Sequence, residues 1–175
     1  MHCQIYRKQD WEQKLVNLKP GDFILTHGSS LFDTLIQTFT FSHWNHAALI
    51  IDEEGTLLEA IDKGIKKHHL SKYKHEEVYI VRTEFNETER EHIVKYGLKM
   101  LADHEKYGFL TIFSIALKII TKSRLIIKLE GTMICSEFVA NALARGGIIW
   151  EKDPELITPA DLYNALVKHH QQELN

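Results

Sequence analysis

The first half of the chain contains short apolar runs, each bounded by turn-forming residues. This pattern predicts β-strands at 23–26, 47–51, 56–60 and 78–81. A shorter extended piece begins at Gly64, and helices are predicted over 10–18 and 30–39. The turn at 52–55 joins the second and third runs into a β-hairpin whose first strand is buried. Together these runs predict a small antiparallel sheet.

Helical spacing of the apolar residues dominates the second half. Thr88 followed by Glu91 predicts a capping box at the start of one helix. A second helix is expected to begin at or near Cys135 and to end at the pair Gly146-Gly147, which would supply a left-handed C-cap. Pro159 opens a last helix, because proline suits the first helical position. The predicted fold class is α+β, with helices packed against the antiparallel sheet.

Length and charge narrow the class of protein. The chain has 175 residues, with 21 Lys and Arg against 24 Asp and Glu, which gives a formal net charge of −3. No linker or repeat divides the sequence, so we expect a single domain over residues 1–175. A near-neutral charge gives no basis for a nucleic-acid partner, whose binding depends on clustered cations. The N-terminus lacks the apolar run of a signal peptide, and we expect a cytoplasmic protein.

The most apolar stretch of the chain begins at Gly108 and runs to Ile120. About 13 residues cannot span a bilayer, which needs roughly 20, so no transmembrane segment is predicted. From Gly108 to Leu129 the apolar residues nevertheless exceed what one helical face buries. We expect this segment to form part of an apolar wall of the cleft beside Cys135, which accepts an acyl chain or a hydrophobic side chain. Otherwise, we expect it to form an oligomer contact. Transient contact with a membrane or hydrophobic ligand would use the same surface, and ordinary core is the alternative.

Cys135 is the first candidate for chemistry. A thiol at a helix N-terminus faces unpaired backbone N–H groups and the positive end of the helix dipole, which lower its pKa and favour the thiolate. The alternative is that Cys135 packs as a small buried hydrophobe, as free cysteines often do.

The predicted hairpin supplies a base and a carboxylate for that thiol. If the turn pairs Asp52 with Gly55, Glu59 lies opposite Ala48 and projects from the same face as His46. His46 and Glu59 are then diagonal neighbours, about 7–8 Å apart at the backbone and within reach of each other. The alternative places Glu59 in solvent at a sheet edge.

Five motifs in this order resemble a known family: GDFILTHG, SHWNHAALIIDEEGTLLEA, YGFLTI, MICSEFVANAL and TPADLY. They look like the circularly permuted papain-like cysteine hydrolases of the NlpC superfamily, in the branch of the YiiX-like and lecithin-retinol-acyltransferase-like proteins. The resemblance covers about residues 20–165. It implies a permuted papain-like fold in which Cys135 is the nucleophile, His46 the base and Glu59 the third member of a triad. Ser136 follows the cysteine, as in the family's cysteine-serine-glutamate form.

Two further residues compete for places in the site. His43 forms a Ser-His pair of the kind that is catalytic in many relatives, although His46 directly precedes the apolar run and is preferred. Tyr107 resembles the tyrosine that lines the active site of these hydrolases. Its alternative role is a half-buried aromatic residue with its hydroxyl at the surface.

The histidines do not predict a metal site. His68–His69 and His169–His170 are adjacent pairs, and adjacent side chains on a strand point to opposite faces. The sequence has no HExxH motif and no paired cysteines. We predict no metal and no cofactor. The basic residues between His68 and Glu77 are expected to form a solvated surface connection.

These observations predict a cysteine hydrolase of the peptidase or amidase type. Glu59 orients His46, His46 deprotonates Cys135, and the thiolate attacks an amide or ester carbonyl to form a thioester acyl-enzyme. The expected partner is a peptide or a small lipid-like substrate. The alternatives are a lipid acyl hydrolase or acyltransferase, and a catalytically idle module of the same fold that binds a lipid or a partner.

Overall fold

A computed structural model of the protein describes residues 3–6, 17–27, 43–61, 64–103 and 135–165. Within these ranges the strands are β1 (Cys3–Tyr6), β2 (Phe23–His27), β3 (His46–Ile50), β4 (Thr56–Ile61), β5 (Gly64–His69) and β6 (Glu77–Val81). The helices are α1 (Glu87–Ala102), α2 (Cys135–Arg145) and α3 (Pro159–Tyr163), with 3-10 turns at Leu70–Tyr73 and Pro154–Leu156.

The six described strands form one sheet in the order β1-β6-β2-β3-β4-β5, and every neighbouring pair is antiparallel. The predicted α+β fold with an antiparallel sheet is therefore confirmed. Two features go beyond the sequence prediction. Cys3 opens strand β1 beside β6, in a segment for which the sequence analysis predicts no element. The extended piece at Gly64 is a full strand that runs to His69.

The β3–β4 hairpin has the register that its turn predicts. Leu49 pairs with Leu58 and Ile50 with Leu57, which places Glu59 opposite Ala48. The side chain of Asp52 closes the turn, since its carboxylate accepts the Thr56 N–H at 2.7 Å. This register decides which hairpin side chains meet at the site.

The apolar side chains of the sheet form two clusters, one on each face. One cluster joins the sheet to α2 and contains Ala47, Leu49, Leu58, Phe138 and Val139. The other contains Ala48, Ile50, Leu57, Leu70 and Tyr73. Side chains alternate along a strand, so Glu59 follows Leu57 onto the second face, away from α2.

The helix boundaries agree with the sequence at two places and differ at a third. Gly147, with φ of 103°, follows the end of α2 in the left-handed conformation, and a Thr158 capping box opens α3. The prediction for α1 was wrong by two residues. Its capping box is formed by Asn86 and Glu89 rather than by Thr88 and Glu91, because the Asn86 side chain accepts the Glu89 N–H at 3.0 Å.

Several expectations fall outside the described residues. They are the helix over 30–39, nearly all of the helix over 10–18 and the apolar segment from Gly108 to Leu129. Asn17 and Leu18, the described end of the range 10–18, do not lie in a helix. In the part of the chain that the structure describes, none of the helices has the length and apolar character needed to cross a membrane.

Candidate active site

Cys135 is the first residue of α2, as its position in the sequence predicts. Its sulfur accepts hydrogen bonds from the backbone N–H groups of Ala47 and Ser136 and from the His46 side chain. Burial raises the pKa of the Cys135 thiol, but the positive charge of His46 and these hydrogen bonds outweigh it, so the pKa lies below its ordinary value. The site therefore favours the thiolate.

His46 is the first residue of β3 and joins the thiol to a carboxylate. Its Nε2 atom lies 2.7 Å from Oε2 of Glu59, which leaves Nδ1 as the ring nitrogen for Cys135. Burial lowers the pKa of His46, whereas the Cys135 thiolate and the Glu59 carboxylate raise it, and the net result is a pKa of about 10. The two shifts together favour the thiolate–imidazolium form of the pair.

Glu59 lies in the middle of β4, and its side chain is 0% exposed. A buried carboxylate is costly unless charged or polar partners surround it. Burial alone would raise the pKa of Glu59, but hydrogen bonds from His46, Lys72 and Tyr73 and the charge of His46 hold it far below its usual range. Of the two placements left open by the sequence, the structure shows the buried, paired one.

Three further donors to Glu59 come from the end of β5 and the 3-10 turn that follows it. Lys72 Nζ lies 2.7 Å from Oε1, and His68 Nδ1 lies 2.6 Å from the same oxygen. The hydroxyl of Tyr73 donates a short hydrogen bond to Oε2. The expectation that this basic stretch is only a solvated surface connection was wrong for these three residues. Pairing β4 with β5 at the sequence level would have predicted His68, which is a diagonal neighbour of Glu59 in the sheet.

The site combines side chains from both faces of the sheet. Glu59 and Tyr73 belong to the face opposite α2, whereas Cys135 begins the helix that packs on the other face. His46, at the end of its strand, contacts both groups. A single imidazole therefore links the carboxylate on one face to the thiol on the other.

His43, the competing histidine, has a different environment. Its Nε2 atom lies 3.0 Å from Oε2 of Glu77, and both side chains are largely exposed. Its ring stacks on His27 with centroids 4.2 Å apart. The structure thus brings His46, and not His43, to the hydrogen-bonded pair with Cys135.

The two remaining candidates, Ser136 and Tyr107, differ in what the structure says of them. The Ser136 hydroxyl is buried and donates to the Ile157 carbonyl at 2.6 Å, so its side chain ties α2 to the chain before α3. Its contribution to the thiol is the backbone N–H described above. Tyr107 lies outside the described residues.

Several histidine and carboxylate side chains lie close together in the described ranges. Among the residues of these ranges, no group of three or more His, Cys, Asp or Glu side chains has an arrangement that could hold a metal ion. The donors around Glu59 instead satisfy the carboxylate directly.

A family model described as a permuted papain-like amidase enzyme, of the YaeF/YiiX, C92 family, matches residues 17–169. The match includes Cys135, His46 and Glu59 and nearly all of the described fold. A comparison with curated proteins finds no match to the chain.

Proposed function

Because the chain belongs to the permuted papain-like amidase family, we propose that it is a cysteine amidase whose catalytic triad is Cys135, His46 and Glu59. Family membership supports the general class, a papain-like hydrolase. The observation that carries the triad is the continuous hydrogen-bonded chain from the Cys135 sulfur through the His46 ring to the buried Glu59 carboxylate.

Acylation follows from the charges of the resting pair. The Cys135 thiolate attacks the carbonyl carbon of the substrate amide, and a sulfur–carbon bond forms. The backbone N–H of Cys135, at the start of α2, is suited to stabilise the oxyanion that develops. His46 then gives its proton to the leaving nitrogen as the carbon–nitrogen bond breaks, which releases an amine and leaves a thioester.

Deacylation uses the same histidine in its neutral form. His46 takes a proton from water, and the resulting hydroxide attacks the thioester carbon. The carbon–sulfur bond breaks, a carboxylic acid leaves, and the thiolate and imidazolium are restored. Glu59 keeps its charge throughout and stabilises the imidazolium whenever it forms.

Two alternative activities differ from the proposed one in the acyl donor or in the acyl acceptor. The same thioester would form from a lipid ester, and transfer to an amine instead of water would make the protein an acyltransferase. The sequence feature that favoured a hydrophobic substrate, the segment from Gly108 to Leu129, lies outside the described residues. The match to an amidase family supports an amide, so we propose a peptide or other amide substrate and keep the lipid-like substrate as the second candidate.

Trapping the thioester tests the proposal. The chain's two cysteines are Cys3 and Cys135, so the experiment uses a Cys3→Ser background in which one thiol remains. Incubation with p-nitrophenyl acetate is expected to release p-nitrophenolate in a burst and to leave an acetyl group on Cys135, detected by peptide mass spectrometry. Turnover of peptide p-nitroanilides then tests amide cleavage.

Cys135→Ala in the same background is the matched control and is expected to abolish both the burst and the adduct. An idle module of the same fold would give neither a burst nor an acetyl adduct on Cys135 in the Cys3→Ser protein. That result would contradict the proposed mechanism.

A further inference from the structure

We propose that residues 68–73 form the positioning unit of this reaction, in which Lys72 and Tyr73 hold Glu59 charged and correctly oriented for His46. This inference rests on the proposed function of Cys135 and His46. Lys72, Tyr73 and His68 are positioning residues, since the structure shows them in contact with Glu59 rather than with the thiol.

The donors divide evenly between the two carboxylate oxygens. His46 and Tyr73 share Oε2, and His68 and Lys72 share Oε1. Each oxygen of an ionised carboxylate has about two acceptor sites, so these four donors fill them all. Rotating the carboxylate would break several of these bonds together. Its orientation toward His46 is thereby fixed from the side opposite to the thiol.

The positioning unit, residues 68–73, is in turn hydrogen-bonded to the hairpin that carries His46 and Glu59. The Leu70 N–H donates to the Gly55 carbonyl at 2.9 Å, and His69 Nε2 donates to the Glu54 carbonyl at 2.9 Å. Leu70 is buried under the same face of the sheet. The 3-10 turn therefore sits rigidly against the β3–β4 turn.

Lys72 also balances the charges of the site. Without it, the single negative charge of Glu59 would face the imidazolium, and Cys135 would add a second negative charge nearby. With it, Lys72 compensates Glu59, and the imidazolium compensates the thiolate. Tyr73 adds a neutral donor: burial, followed by the charge of Glu59, raises the pKa of its phenol, so it keeps its proton.

The groups that titrate or carry charge around this unit come from several elements. They are His46 on β3, Glu59 on β4, Lys66 (directly opposite Glu59) and His68 on β5, Lys72 and Tyr73 in the turn, Glu76 beside Tyr73, and Cys135 on α2. Removing the Lys72 charge makes this set more negative by one unit. By Coulomb's law, that change raises the pKa of both the thiol and the imidazolium.

The test is the pH dependence of iodoacetamide alkylation of Cys135, measured in the Cys3→Ser background. Lys72→Met is expected to raise both the thiol pKa and the histidine pKa by about half to one pH unit. Below the thiol pKa, the rate of alkylation should therefore fall roughly threefold to tenfold. Lys72→Arg should restore most of the wild-type profile, because it returns the charge. Lys74→Met, with the same charge change at an exposed site two residues away, is the matched control and should leave the profile in place.

The direction of the two shifts separates a charge effect from structural damage. Loosening the Cys135–His46 pair would raise the thiol pKa but lower the histidine pKa, whereas the proposal predicts that both rise. Tyr73→Phe gives a second measurement that keeps the ring. It is expected to lower kcat about tenfold with KM unchanged, since Tyr73 is buried on the face opposite α2. Tyr96→Phe is the control, because Tyr96 lies on α1 and stacks on Phe138 in the other cluster, away from Glu59.

Two outcomes overturn different statements. If wild-type Cys135 is activated and His46→Ala abolishes the activation, but Lys72→Met and Tyr73→Phe match their controls, residues 68–73 have no positioning role. If wild-type Cys135 reacts as an ordinary thiol, the proposed function itself fails.

Discussion

The Nε2 atom of His46 lies 2.7 Å from Oε2 of Glu59, although the two residues are 13 positions apart on neighbouring strands. The hairpin register creates this contact, since a slip of one residue would turn either side chain to the opposite face. The same imidazole is hydrogen-bonded to Cys135 at the start of α2. The predictions below follow from this link.

Cys135→Ala is expected to abolish turnover of any substrate that wild type cleaves, and His46→Ala to reduce it almost as far. The thiolate and its imidazolium act as a unit, so the double variant should lose no more activity than Cys135→Ala alone. Steady-state kinetics on the three variants measure this. Additive losses would show that the two residues act in separate steps.

Glu59→Gln is expected to lower both stability and activity. An amide group must present its NH2 toward two of the four donors, so hydrogen bonds at one oxygen are lost and a charged partner is left without its counterion. A fully buried donor left unsatisfied costs about 1–3 kcal/mol, but His68 and Lys72 are each about one-third exposed, so water offsets part of that cost. Denaturant unfolding measures the difference. Activity should fall less than in His46→Ala, because an amide oxygen can still accept from the imidazole.

His43→Ala distinguishes the two candidate histidines. Its ion pair with Glu77 is largely exposed, and exposed pairs contribute about 0–1 kcal/mol. We expect kcat/KM and the free energy of unfolding to stay close to wild type. A loss of activity as large as that of His46→Ala would assign the base to His43 instead.

The Cys135–His46 pair also predicts how stability depends on pH. The His46 pKa is raised to about 10 in the folded protein. Its contribution to the free energy of unfolding is therefore complete below about pH 6.5, the pKa of histidine in the unfolded chain, and is lost as the pH rises through the folded pKa. The Cys135 pKa is lowered, so its contribution is complete above the unfolded value of about 8.5 and is lost as pH falls.

The two effects have opposite signs, so they offset each other where both groups titrate, below the unfolded thiol pKa of about 8.5. Above about pH 8.5 only the His46 effect remains, and the free energy of unfolding should fall toward pH 10. Denaturant unfolding at several pH values measures this, with the Cys135→Ala, His46→Ala double variant as the control. If that control shows the same alkaline fall, the pair does not cause it.

The sequence was sufficient for the hairpin and for the start of α2, because both depend on local signals. A four-residue turn fixes which side chains of β3 and β4 are opposite, and glycine and proline mark the ends of the last helices. The family resemblance is confirmed by the match over residues 17–169.

The donors to Glu59 could not be found in the same way. Lys72 and Tyr73 lie in a polar stretch whose composition is that of a solvated surface, and they reach Glu59 only because β5 pairs with β4 and a 3-10 turn folds back under the sheet. That pairing depends on contacts between segments, which hydrophobic periodicity does not record. Similarly, strand β1 is too short and too mixed in character to be predicted without its partner β6.

The central claim, that His46 activates Cys135, is tested most directly by the rate of Cys135 alkylation as a function of pH in the Cys3→Ser background, compared with the same protein carrying His46→Ala. The account predicts a rate that is already near its plateau well below pH 8, and a fall to the profile of an ordinary thiol, with a pKa of about 8.5 or higher, once His46 is removed. A wild-type profile that rises with an ordinary thiol pKa and does not change in His46→Ala would contradict it.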